Sequence, residues 1–178
     1  MRSKSCSKPA RAWIAALLKR IAAPAFVAIL AVAPANAQMR VAELGDVYES
    51  YNDCFAVTET GSIDPAALAA AGWQRAAVSN DGGGEIEDGP IIFGHLERAP
   101  IIMLSALEGE GACIVIARIK DLKAIDQFKS AWGGKLPKPN KDGEISFFAE
   151  GRAVQMATTG SRKEPSLRLA VGTRMESN

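Results

Sequence analysis

The sequence predicts an α+β domain in two layers: a mainly antiparallel sheet of about five strands with two N-terminal helices packed on it. Three observations carry this. Residues 112–119 (Ala-Cys-Ile-Val-Ile-Ala-Arg-Ile) form an apolar, β-branched run entered through Gly111, which suits a central strand covered on both faces. Leu122, Ile125, Phe128 and Trp132 then recur at spacings of three or four before Gly133-Gly134, the pattern of a helix lying on that strand. Downstream, short alternating stretches separated by turn residues read as a three-stranded meander, so that the order is hairpin, helix, meander.

The chain opens on a segment unlike the rest. Residues 1–20 carry six basic residues and no acid, residues 21–33 are 13 apolar positions interrupted only by Pro24, and Ala35-Asn36-Ala37 offers small side chains on either side of one larger one. That three-part order is a secretory signal peptide, with cleavage expected before Gln38, leaving residues 38–178 as one α+β domain. A retained membrane anchor fits less well, because a 13-residue helix spans about 20 Å of a hydrocarbon layer about 30 Å thick. Extending it toward the N-terminus would bury Lys19 and Arg20.

Taken in order, residues 39–55 predict a first helix, with Val41, Leu44, Tyr48, Tyr51 and Phe55 on one stripe. Asp64-Pro65 predicts the start of a second: the carboxylate can accept free backbone N–H groups, and proline has none to leave unpaired at the first helical position. Leu68 is its apolar anchor, Gly72 its C′ residue, and Trp73 packs on the core. Residues 80–90, with four glycines and four acids, predict an exposed loop. Residues 91–93 suit the beginning of a strand, and residues 100–107 form a hairpin with 112–119. Residues 121–132 are the third helix and 135–143 a surface connection. Residues 144–149 and 152–159 flank a tight turn at Glu150-Gly151, and 167–171 is the last strand.

Charge and cysteine content narrow the function. Without the leader, 15 basic residues face 20 acids, a net charge of −5 with no basic stripe. Such a domain is unsuited to nucleic acid or to an anionic membrane surface. Cys54 and Cys113 remain as a pair, and in the oxidising compartment that the leader implies they are expected to form a disulfide pinning the first helix to the central strand.

Two strands, a helix and three strands is an order that resembles profilin-like and PAS-like domains, which would imply a ligand-sensing or dimerising scaffold. The segments around Cys54 and Gly72-Trp73 are similar to small exported bacterial proteins, a similarity that implies no activity.

Candidate chemistry is sparse. His95 is the only histidine, in Phe93-Gly94-His95-Leu96-Glu97, and no Gly-x-Ser-x-Gly elbow exists to supply a serine partner. One histidine and two distant cysteines do not make a transition-metal site, and Asp81, Glu85, Glu87 and Asp88 match no calcium-loop spacing. No cofactor or metal is therefore expected. Thr158, Thr159, Ser161 and Arg162, hydroxyls and a cation at a strand end, are the candidate ligand-binding residues, set against an ordinary charged hairpin loop. The sequence points to a non-enzymatic binding or interaction module, periplasmic or secreted, engaging a protein or small molecule without a stable membrane anchor. Two alternatives are an envelope hydrolase using carboxylates and His95, and a protein inhibitor of an envelope enzyme that presents residues 80–90 or 160–166 as a plug.

Overall fold

A computed structural model describes residues 39–78, 90–106 and 110–174; the expected signal segment, the acidic loop at 80–89 and the tip of the first hairpin lie outside them. Among the described residues no helix is long and apolar enough to cross a membrane.

The helices start and stop as their local chemistry dictates. Helix α1 (Leu44–Val57) begins five residues later than the apolar stripe suggests, because residues 39–42 run beside the sheet instead, with Ala42 N–H donating to the Arg118 carbonyl at 2.8 Å. Helix α2 (Pro65–Ala70) is capped by Asp64, whose carboxylate accepts from Ala66 N–H, and it ends at Gly72, whose φ of 88° is the left-handed C′ geometry. Helix α3 (Leu122–Ser130) is capped by Asp121, which accepts from Ala124 N–H.

Among the described residues the sheet has seven strands, two more than the sequence suggests. They are β1 (Trp73–Arg75), β2 (Ile91–His95), β3 (Ile101–Leu104), β4 (Ala112–Arg118), β5 (Ile145–Ala149), β6 (Arg152–Gly160) and β7 (Pro165–Gly172), in the order β1-β2-β3-β4-β7-β6-β5 with every neighbouring pair antiparallel. The additions are β1 and a full-length β2. Trp73 was expected only to pack on the core, yet the residues after it also pair with β2, and a three-residue strand is too short to show a period in the sequence. The α3 crossover carries the chain from β4 to the far edge, and β6 and β7 bring it back beside β4. Glu150 (φ 52°) and Gly151 (φ 76°) make the two-residue turn of the β5–β6 hairpin.

One hydrophobic core lies between the helices and one face of the sheet. The Cys54–Cys113 disulfide, with Cα atoms 5.3 Å apart, fastens α1 to β4 in the middle of it. Strand residues in the core are Trp73, Phe93, Ile102, Leu104, Cys113, Val115, Ala117, Ile145, Val154, Met156, Leu167, Leu169 and Val171, all with side chains on the same face by register. From the helices come Val47, Cys54, Val57, Leu68, Ile125 and Phe128. Tyr48 stacks on Phe128 at 4.5 Å between ring centres and its hydroxyl donates to the Phe128 carbonyl, holding α3 against α1.

The expectation of a central strand covered on both faces is corrected here. Burial in β4 alternates: Cys113, Val115 and Ala117 are buried, whereas Ala112, Ile114, Ile116 and Arg118 are half-buried. All three helices pack on the Cys113 face, and no described element lies on the other.

Candidate functional site

The helix-free face can be read off the pairing register. One row across the sheet is Ile92, Met103, Ile114, Ala170, Gln155 and Ser146, on β2, β3, β4, β7, β6 and β5 in turn. Beside it run Gly94, Ile101, Ile116, Arg168 and Ala157, and on the opposite side Ala112, Gly172, Ala153 and Phe148. The face therefore has two unlike halves. Strands β2, β3 and β4 present five bulky apolar side chains: Ile92, Ile101, Met103, Ile114 and Ile116. Strands β7, β6 and β5 present the small residues Ala153, Ala157, Ala170 and Gly172, with Ser146, Gln155, Arg168 and the rim residue Phe148 among them.

None of the five bulky residues belongs to the hydrophobic core, and each is only half-buried. An antiparallel sheet covered on one side ordinarily alternates apolar inward with polar outward, because only the covered side gains by excluding water. Here five outward positions of three adjacent strands are bulky and apolar as well, which makes one contiguous apolar patch bordered by Arg118.

On the small-residue half lies a hollow of about 460 Å³ lined by Ala112, Phe148, Ala153, Gln155, Ala170 and Gly172 among others. Phe148 stands at its outer rim on the edge strand with 69% of its surface exposed. Polar contacts frame the same half. Arg168 pairs with Glu144 at 2.9 Å and donates to Gln155 Oε1 at 3.1 Å, and Gln155 Nε2 donates back to Glu144 at 3.3 Å. Arg118 pairs with Glu164 at 2.8 Å near the end of the sheet. These charges meet opposite charges within the chain; Arg168 lies within the face, between Ile116 and Ala157, and Arg118 near its end, and neither gives the area a net sign.

The sequence-derived candidates are placed as follows. Thr158 and Thr159, successive on β6, point to opposite faces, and the Thr159 hydroxyl donates to the Ser166 carbonyl at 3.5 Å. Ser161 accepts from Glu164 N–H at 3.1 Å within the tight β6–β7 loop, and Arg162 is exposed there. The four do not converge on one point. His95 is tied at both ring nitrogens: Nδ1 accepts from the backbone N–H groups of Glu97 (3.1 Å) and Arg98 (3.2 Å), which leaves Nε2 to donate to the Ala71 carbonyl at 3.2 Å. A ring so held shapes the β2–β3 connection and the end of α2, and neither nitrogen is left to accept a proton from a substrate. Asp53 beside it accepts from Trp73 Nε1 at 2.8 Å and from Arg98, which also pairs with Glu49 at 3.1 Å. Among the described residues no three His, Cys, Asp or Glu side chains gather as a metal site, and the acidic loop at 80–89 lies outside them.

A second polar group is structural. Arg152, 2% exposed, donates from Nη1 to the Phe55 carbonyl at 2.7 Å and stacks over the Phe55 ring at 4.9 Å. Phe55 lies in the last turn of α1, which has no basic residue of its own, so Arg152 supplies the cation for the negative end of that helix. Burial pushes the neighbouring Tyr51 phenol well above its usual range; Glu150 adds to the rise and Arg152 opposes it.

Comparison with protein-family models, with curated proteins and with solved structures gave no match for this chain. Its function is therefore argued from the face itself. Sequence reasoning missed that face although its signal was present. Both parities of β2, β3 and β4 are apolar, and for residues 112–119 that pattern reads as cover on both faces; the fold covers one.

Proposed function

We propose that this protein is an exported, disulfide-stapled interaction module of the bacterial envelope, which binds an apolar protein surface through the helix-free face of its sheet. The observation that carries the reading is the set Ile92, Ile101, Met103, Ile114 and Ile116, contiguous by register and outside the core. Exposed together, five such side chains cost solubility and contribute nothing to the packed core, so their burial against a partner is the gain that accounts for them. Export is supported by the three-part leader pattern of residues 1–37 and by the Cys54–Cys113 bridge, which persists in oxidising compartments.

The test is photo-crosslinking in producing cells. A benzoyl analogue of phenylalanine placed at Phe148, 69% exposed at the rim of the hollow, is expected to give discrete protein adducts in the envelope fraction. The same probe combined with Ile114→Glu is expected to lose them. A folded, exported protein that gives no adduct in either form overturns the reading.

A further inference from the structure

We infer that the partner of this face is a second copy of the chain, docked sheet to sheet about a two-fold axis that runs parallel to the strands between β4 and β7. This deepens the reading just proposed and rests on it. Side-chain size is unevenly distributed across the face. Its bulky half (β2, β3, β4) and its small half (β7, β6, β5) have three strands each, on either side of the β4–β7 boundary. A two-fold axis lying between two stacked sheets along that boundary keeps the position along the strand and exchanges the halves. Each row then meets itself reversed. Ile114 lies over Ala170 of the other copy, Met103 over its Gln155, Ile92 over its Ser146, Ile101 over its Ala157, and Ile116 over its Arg168, whose guanidinium is bonded to Glu144 and Gln155. The ridge of one copy thus faces the hollow of about 460 Å³ on the other. Ridge and hollow on separate halves of one patch make the surface complementary to itself, as an isologous interface requires.

Size and charge agree with this occupant. Six strands spaced about 4.8 Å apart, with three residue rows about 7 Å apart, give roughly 500 Å² of plan area per copy. The pair would bury about 1,000 Å² or somewhat more once the corrugation of the face is included, near the lower bound for a specific interface. Arg168 and Arg118 are each paired with a glutamate of their own chain, so the two equal faces bring no unpaired like charges together. Ala153, Ala157, Ala170 and Gly172 leave low ground around Arg168 and Gln155, and the facing sheets are set about 10 Å apart, the usual sandwich separation. The short β1, seventh in the sheet, overhangs the contact.

The geometry sets its own test. Met103 and Gln155 of one copy are separated by three strand spacings, about 14 Å. Across the proposed axis they face each other. The full chain is produced in cells, and the purified protein is followed by sedimentation equilibrium from about 1 to 200 µM, a range that brackets micromolar association. At a sheet separation of about 10 Å the facing Cα atoms lie beyond disulfide range, about 7 Å, so M103C/Q155C and each single-cysteine variant are treated with a short bismaleimide that joins two thiols and are then run on denaturing gels. The expected results are concentration-dependent dimers, a covalent dimer from the double variant, at least tenfold less from either single variant, and dimer loss in Ile114→Glu. Should Ile114→Glu fail to fold, the cysteine variants carry the test alone, since both positions lie outside the core. A wild-type protein that is monomeric at 200 µM, or one that dimerises without the double-cysteine link, overturns the inference. Adducts from position 148 to a different envelope protein, with a monomeric wild type, overturn the second copy and leave the interaction reading standing. Monomer and no adduct overturn both.

Discussion

Removing the Cys54–Cys113 bridge by the double substitution Cys54→Ala/Cys113→Ala tests how the covered layer is held to the sheet. The two cysteines are separated by 59 positions, and in the loop-entropy model a closure of that length stabilises the fold by about 4 kcal/mol at 25 °C. Both side chains are fully buried, but replacing a thiol-sized group by a methyl leaves a cavity smaller than a leucine deletion does, so the entropic contribution dominates. α1 keeps its other anchors: Val47 and Val57 in the core, Tyr48 on Phe128, and Arg152 on the Phe55 carbonyl. The variant is therefore expected to fold with the same topology and to lose about 4 kcal/mol, a large share of the roughly 5–15 kcal/mol typical of a domain. Urea unfolding followed by the fluorescence of Trp73 and Trp132 reads this as a midpoint lower by about 2 M, for a slope of about 2 kcal/mol/M. A loss under about 1 kcal/mol at unchanged slope would refute the claim that the bridge is the main restraint on the unfolded chain.

Other consequences are local. Gly72→Ala is expected to cost about 1–3 kcal/mol by thermal or urea unfolding, because φ is 88° there and a Cβ would meet His95 Nε2 at 2.9 Å, disturbing the bond to the Ala71 carbonyl. Arg152→Met should leave the Phe55 carbonyl and the end of α1 without their cation, at a cost of about 1–3 kcal/mol, with hydrogen exchange rising first in the last turn of α1. Tyr51 and Tyr48 both have phenols raised by burial, so the unfolded chain ionises first, near pH ~10. Stability is full below that pH and falls above it by up to about 1.4 kcal/mol per pH unit per phenol; Tyr51→Phe should flatten the alkaline slope. Ile114→Glu should cost far less stability in the dilute monomer than Val115→Glu, its neighbour on the covered face, and equal losses in urea would mean that the two faces do not differ.

Much of the fold was legible because its signals are local. Asp64-Pro65 and Asp121 start helices for reasons contained within three or four residues, Glu150-Gly151 turns the chain for equally local reasons, and two lone cysteines have one way to pair. What was not legible depends on distant parts of the chain. Trp73, Gln74 and Arg75 become a strand only because β2 is there to pair with, and residues 39–43 are drawn away from α1 by the Arg118 carbonyl. The spread of the candidate ligand-binding residues has a related reason. Thr158 and Thr159 were grouped by adjacency in sequence, although successive residues of a strand face opposite ways. The apolar outer face was grouped with the core, because a run such as Ile114-Val115-Ile116 carries no mark of which parity the helices will cover.

Methyl NMR with a water-soluble paramagnetic agent tests the central claim, that the second sheet face is an uncovered apolar surface built for a partner. In dilute protein the δ1 methyls of Ile92, Ile101, Ile114 and Ile116 are expected to relax strongly, while those of Ile102, Ile125 and Ile145 on the covered side stay protected. Binding of the partner should protect the first group and leave the exposed Leu96 unchanged. If the four outer isoleucines are as protected as the core at the lowest concentration, with no partner bound, the chain covers that face itself and the account is wrong.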